Sequence, residues 1–207
     1  DDIANIENRV YKIIKNKFSY NNIKNVLDED LKDFYTNKYE GEICTPTGIK
    51  DLDSIIGGLK YKELTVVVAP LNVGKSFFLI FIGSKALLYS KDILYITTEM
   101  SEQQVKGRFF QRFAGVTDKP QEELNIWSGK ERIKFKPDHL GNAIMVKKAI
   151  KTMTSFGGSL FLKEYPDKLL TIPKLEELLN NIQLEKGKYP DLLIIDGLQG
   201  LKYNDNK

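Results

Sequence analysis

Four side chains in this sequence have the chemistry to hold and cut a phosphate chain, two in a loop between apolar runs and two at the ends of such runs. Lys75 and Ser76 close the segment Ala69-Pro70-Leu71-Asn72-Val73-Gly74-Lys75-Ser76. An apolar run over 63–69 precedes this loop, and a second over 76–89 follows it. A small-residue loop between a strand and a helix aims backbone N–H groups at an anion. The spacing is that of G-x-x-x-x-G-K-[ST], with Ala69 in place of the first glycine. In such a loop Lys75 bridges the β- and γ-phosphates of a nucleotide, and the Ser76 hydroxyl takes a place around Mg²⁺. The stretch from Ala69 through Phe77 is therefore the expected nucleotide-binding segment. An ordinary glycine turn with a surface lysine accounts for the loop but not for both apolar flanks.

The two carboxylates are Asp196 and Glu99. Asp196 ends "DLLIID", and ligands of parallel sheets sit beyond the carboxyl ends of the strands. An acid after the four apolar residues 192–195 is poorly explained as core, so it is expected to hold magnesium; capping the next helix is the rival account. Glu99 ends "ILYITTE" and projects at the same edge if that strand lies beside 64–68. There a glutamate not needed for the metal polarises a water for in-line attack on the γ-phosphate. The rival role, capping a helix that begins near Ser101, is one Ser101 can fill itself. Lys75, Glu99 and Asp196 together point to ATP hydrolysis.

The elements that must position these residues alternate strand and helix. The spacing predicts a short helix at about 50–56 ended by a glycine pair, a strand at 63–69 and a helix at 76–89. A strand at 92–99 and a helix at 101–114 follow. Residues 117–157 are less legible, with a lysine-rich turn "GKERIKFKPD" and an amphipathic helix around 139–153. A third strand is expected at 159–166. The next helix carries Thr171 as N-cap, Pro173 in its first turn and Gly187 as terminator, and a fourth strand spans 191–196. The pattern is that of an α/β fold, a mostly parallel sheet with helices on both faces. Ahead of it, residues 1–37 read as a helical arm with Ile3, Ile6, Val10, Ile13 and Ile14 on one face, and the chain breaks at Gly and Pro near 36–46. The expected division is a docking arm over 1–40 and an ATPase domain over 41–207.

Composition sets the bounds. With 207 residues and 42% hydrophobic content, the chain can bury a good-sized core. The formal charge of +3 neither argues for nor excludes nucleic acid, and only four of the 31 basic residues are Arg (Arg9, Arg108, Arg112, Arg132). Cys44 and His139 are each the sole residue of their type, so neither a disulfide framework nor a zinc site is expected. No stretch approaches the roughly 20 apolar residues of a membrane span, and a cytoplasmic compartment fits best.

The order "PTGIKDLDSIIGGL", "ELTVVVAPLNVGKS", "ILYITTEMSEQQVKGR" and "PDLLIIDGLQGL" resembles the RecA-like motor domain of the hexameric replicative DNA helicases, the DnaB family and especially its phage relatives. The resemblance rests on the small residue opening the phosphate loop, on Glu99-Met100-Ser101 with Arg108 beyond it, and on the run Asp196-Gly197-Leu198-Gln199. It covers residues 45–203. It implies a RecA-like P-loop NTPase core preceded by a linker that docks on a neighbouring subunit. ATP and Mg²⁺ are the implied cofactors, held by Lys75, Ser76 and Asp196. Glu99 is implied as catalytic base, and Gln199 as lying near the active-site or DNA-facing loops. Implied partners are single-stranded DNA, further copies in a hexameric ring, and a primase and helicase loader, in the host cytoplasm if phage-encoded. Gly197 stands where the family usually has Tyr, which bears on local packing rather than chemistry. The family's DNA loops and arginine finger are expected beyond residue 207. Two other readings stay open: a recombinase- or clock-type ATPase of the same superfamily, and a loader or regulatory module that binds ATP as a switch.

Overall fold

β3 (Ile93–Thr97) is the middle strand of the main sheet, and all five of its residues are buried. The computed structural model describes residues 43–70, 72–128, 131–166, 169–200 and 202, so the expected arm over 1–40 lies outside the described residues. Ahead of β3 come β1 (Ile43–Thr45), α1 (Lys50–Ile56), β2 (Leu59–Lys60) and α2 (Lys75–Leu88). After it come α3 (Glu102–Ala114), β4 (Leu124–Ser128), β5 (Glu131–Phe135) and α4 (Ala143–Ser155). The described chain ends with β6 (Leu160–Glu164), α5 (Ile172–Lys186), β7 (Leu192–Asp196) and a 3₁₀ turn over Leu198–Gly200.

The main sheet is parallel, in the order β6-β3-β7. Ile93 pairs with Leu160 on one side and Leu192 on the other, and Thr97 pairs with Glu164 and Asp196. Because successive side chains of a strand point to opposite faces, β3 serves two cores. Ile93 and Tyr95 pack with Ile80 and Leu87 of α2, Val105 and Phe109 of α3, and Ile194. Leu94 and Ile96 pack on the other face with Leu170 and Ile182. Helices thus cover both faces, as the unbroken apolar run of a parallel strand requires.

The helix boundaries follow local chemistry. Ser101 and Gln104 form a reciprocal capping box at the start of α3, while Asn142 caps α4 and Thr171 caps α5. Gly57, Gly115 and Gly187 end α1, α3 and α5 in the left-handed conformation.

Three expectations need correction. Residues 63–70 form no strand and pair with no described strand, and Leu64, Val66 and Val68 are exposed. The parallel sheet among the described residues therefore has three strands rather than four. A run without alternation does not specify which face turns inward, and the two edges of β3 are taken by β6 and β7. It follows that β3 does not lie beside a 64–68 strand. Finally, the "lysine-rich turn" is a strand: β4 and β5 pair antiparallel from Leu124↔Phe135 to Ser128↔Glu131.

At the amino ends of the parallel strands a polar cluster ties the sheet together. Lys188 Nζ lies 2.9 Å from Asp92 Oδ2 and 3.2 Å from Asp191 Oδ2. The Asp92 amide donates to Asp191 Oδ2 and the Ser159 amide to Asp92 Oδ1, each at 2.8 Å. Tyr61 donates to Asp191 Oδ1 at 3.1 Å and the buried thiol of Cys44 to the Asp191 carbonyl at 3.3 Å. Each strand start is thereby fixed in register with the next.

Candidate functional site

The loop before α2 holds two left-handed residues and leaves the helix uncapped. Asn72 and Gly74 both have positive φ, 62° and 98°. Left-handed residues interleaved in a turn bring successive N–H groups round to one concave side. Gly74 is the N-cap residue of α2, and no side chain caps that helix. α3, α4 and α5 all carry side-chain caps, so the amides of α2's first turn keep no such partner and the helix dipole is left open to negative charge. Lys75 and Ser76 occupy that turn, half-buried.

The carboxylate that meets the loop is Glu99. Lys75 Nζ lies 3.4 Å from Glu99 Oε1, and the Gln199 side-chain amide donates to the same oxygen. Glu99 does not cap α3, since Ser101 and Gln104 complete that task. The turn bearing Glu99 is fixed by Thr97, whose hydroxyl receives the Met100 amide at 2.9 Å. Next to it Thr98 donates through its hydroxyl to the Gly197 carbonyl at 2.7 Å and through its amide to the Asp196 carbonyl at 3.0 Å. The ends of β3 and β7 are therefore joined just where Glu99 and Gln199 leave them. Gly197 has φ +100°, and a Cβ there or at Gly200 would overlap the Thr98 side chain. This close approach gives the Gly197 departure its packing reason.

Asp196 ends β7 and is fully buried. Its Oδ2 accepts from the Tyr95 hydroxyl at 3.0 Å, while its Oδ1 has no hydrogen-bond partner among the described residues. It caps no helix. A buried carboxylate oxygen without a donor is costly unless a cation or donor arrives. That donor chemistry fits a hard divalent ion, which takes oxygen ligands and shares them with substrate phosphates. The Tyr95 hydroxyl is held protonated: burial, then the Asp196 charge and hydrogen bond, push its pKa well above the usual tyrosine value.

The structure brings Lys75, Glu99 and Gln199 into one contact group and sets Asp196 in the adjoining strand end. Ala69 and Pro70 lie in the irregular segment, Asn72 and Val73 are exposed in the loop, and Leu71 lies outside the described residues. Phe77 is 61% exposed, with the Arg108 guanidinium 4.3 Å from its ring centre. Sequence reasoning missed Tyr95 and Thr98. Tyr95 lies two residues before Thr97, the register partner of Asp196, on the same face of the sheet; a polar aromatic at that diagonal position was the available signal.

This α/β domain, with a parallel sheet, an uncapped helix opening on a small-residue loop with a lysine in its first turn, and an acid on a parallel strand end, shares its arrangement with P-loop nucleotide-binding domains. Residues 44–207 match the family model described as the DnaB-like helicase C terminal domain, and the chain belongs to that family. It is also similar to a DnaB-like replicative helicase of Enterobacteria phage T4, at 28% identity over 143 residues. That alignment takes in 69% of this chain but 27% of the phage protein, so the chain spans only part of that relative's length. Among the described residues no helix is long and apolar enough to cross a membrane.

Proposed function

We propose that this chain is the ATPase motor of a replicative DNA helicase, hydrolysing ATP with Mg²⁺ to move along single-stranded DNA and open duplex. The observation that carries the proposal is the convergence of Lys75 and Gln199 on one oxygen of Glu99 at the mouth of the phosphate loop. An incoming γ-phosphate competes for the Lys75 ammonium and releases Glu99 to accept a proton from the attacking water. Lys75 and the amides of the first turn of α2 neutralise the phosphate oxygens as charge develops. Ser76 and Asp196 are the residues that would hold Mg²⁺, which lowers the charge of the phosphate chain when bound. Gln199, on the turn after β7, donates to the same Glu99 oxygen and holds that carboxylate in place when the lysine leaves it.

The family relationship supports a homo-oligomeric ring, hexameric by resemblance, with single-stranded DNA as its track and a primase and loader as partners, in the cytoplasm of the host cell if the gene is a phage's. The test is phosphate release and strand displacement by the full-length protein. Single-stranded DNA should stimulate turnover, and a forked duplex should be opened only with ATP and Mg²⁺. Strong turnover with no DNA stimulation and no strand displacement would instead favour an ATPase without unwinding.

A further inference from the structure

Asp196 presents two chemically equivalent oxygens, yet its surroundings treat them differently. Oδ2 receives the Tyr95 hydroxyl at 3.0 Å, and Oδ1 receives nothing among the described residues. Both residues are fully buried, so water does not level the difference. The tyrosine is itself held firmly. Its ring stands edge-on to Phe109 at 5.9 Å between centroids and 89° between planes. Phe109 in turn fits against Gly83 of α2, where an added Cβ would lie 3.1 Å from the Phe109 ring. A packed column thus runs from the phosphate-loop helix through Phe109 and Tyr95 to Asp196.

We infer that Tyr95 is a positioning residue for the metal: by donating to Oδ2 it fixes the Asp196 carboxylate in one orientation and leaves Oδ1 as the cation's ligand. The inference rests on the reading of Asp196 as a magnesium ligand and deepens it. Carboxylates that bind metals are oriented by a hydrogen bond to the oxygen, or the edge, that the metal does not use. Without the hydroxyl, the carboxylate rotates between two arrangements of which one suits the cation. The phenyl ring alone would fill the core equally well, so the hydroxyl requires its own explanation.

The experiment uses the full-length protein, a non-hydrolysable ATP analogue and Mn²⁺ followed by the electron paramagnetic resonance of the free ion. Tyr95→Phe keeps the ring and its contact with Phe109 and removes only the donor. Its Mn²⁺ midpoint should rise about 10- to 100-fold, the usual effect of removing such a partner, while nucleotide affinity without metal is unchanged. Turnover at saturating Mg²⁺ should recover most of its wild-type value. Ile182→Ala, which weakens the core on the opposite face of the sheet, should leave the midpoint where it is and so reports any general loosening. Phe109→Leu slackens the seat of Tyr95 without deleting the hydroxyl and should give a smaller shift in the same direction; should Tyr95→Phe fail to fold, this variant carries the test, and no shift overturns the inference. A Tyr95→Phe midpoint within about twofold of wild type overturns it as well. Asp196→Asn separates the two readings. If it moves the midpoint and Tyr95→Phe does not, the role of Tyr95 falls alone; if neither moves it, the magnesium reading of Asp196 falls too.

Discussion

Lys75 Nζ stands 3.4 Å from Glu99 Oε1, joining the phosphate loop to the end of β3 across 24 residues of sequence. Both side chains are partly exposed, 28% and 38%, so water screens their attraction. A pair of that kind contributes about 0–1 kcal/mol to folding. Its value is positional: the lysine waits beside the group it must leave when phosphate arrives. Lys75→Ala should therefore lower stability by less than about 1 kcal/mol while abolishing ATP binding. Equilibrium binding of radiolabelled ATP alongside a urea melt checks both halves. Unchanged binding would remove the phosphate-loop assignment.

Gly197 opens the turn that carries Gln199. Alanine at φ +100° meets backbone strain of about 1–3 kcal/mol and overlaps the Thr98 side chain. Gly197→Ala should displace the turn carrying Gln199 and lower turnover more than it lowers ATP affinity. Trimming the obstacle with Thr98→Ala in the same chain should recover part of the lost stability, though not the strain at φ. A double-mutant cycle on urea midpoints measures the coupling, and strict additivity would mean the two residues do not meet.

Helix ends and strand interiors were legible in the sequence because single residues specify them. Thr171 and Gly187 mark α5, Ser101 marks α3, and the runs in β3 and β7 read as buried parallel strands. The 63–70 segment misled for the same reason: its apolar run states burial but not pairing, and burial here went to β6 and β7 instead. The β4–β5 hairpin was hidden because "ERIKF" is exposed along its whole length, so its charges resembled a turn. In the site, Lys75, Glu99 and Asp196 announce themselves as polar groups between apolar runs or at their ends. Tyr95 does not. Its role depends on the register of two strands whose paired residues lie 99 positions apart in the sequence, Thr97 with Asp196 among them, which no local pattern encodes.

At the opposite edge of the sheet, Asp92 and Asp191 predict an acid transition. Burial pushes both carboxyls up. Bonds from Lys188 and Ser159 to Asp92, and from the Asp92 amide, Lys188 and Tyr61 to Asp191, outweigh it and leave both below the usual carboxylate range. A depressed folded-state pKa adds stability above the unfolded value of about 3.9, and that stability is lost as pH falls through the folded values. Urea midpoints should hold between neutral pH and about 5, then fall steeply below about 4. Asp92→Asn should cost about 2 kcal/mol at neutral pH and flatten that acid limb, since the variant has one fewer proton to take up. An acid limb identical to wild type would show that the cluster does not set it.

The measurement that bears most directly on the central claim is Glu99→Gln, assayed for nucleotide binding and for phosphate release in the same full-length preparation. The amide keeps the volume and the bond to Gln199 but accepts no proton from water. ATP affinity should stay near wild type while phosphate release falls by about 10²- to 10⁴-fold, with or without single-stranded DNA. Wild-type phosphate release from a folded Glu99→Gln protein would contradict the account, because the base would then have to be another group.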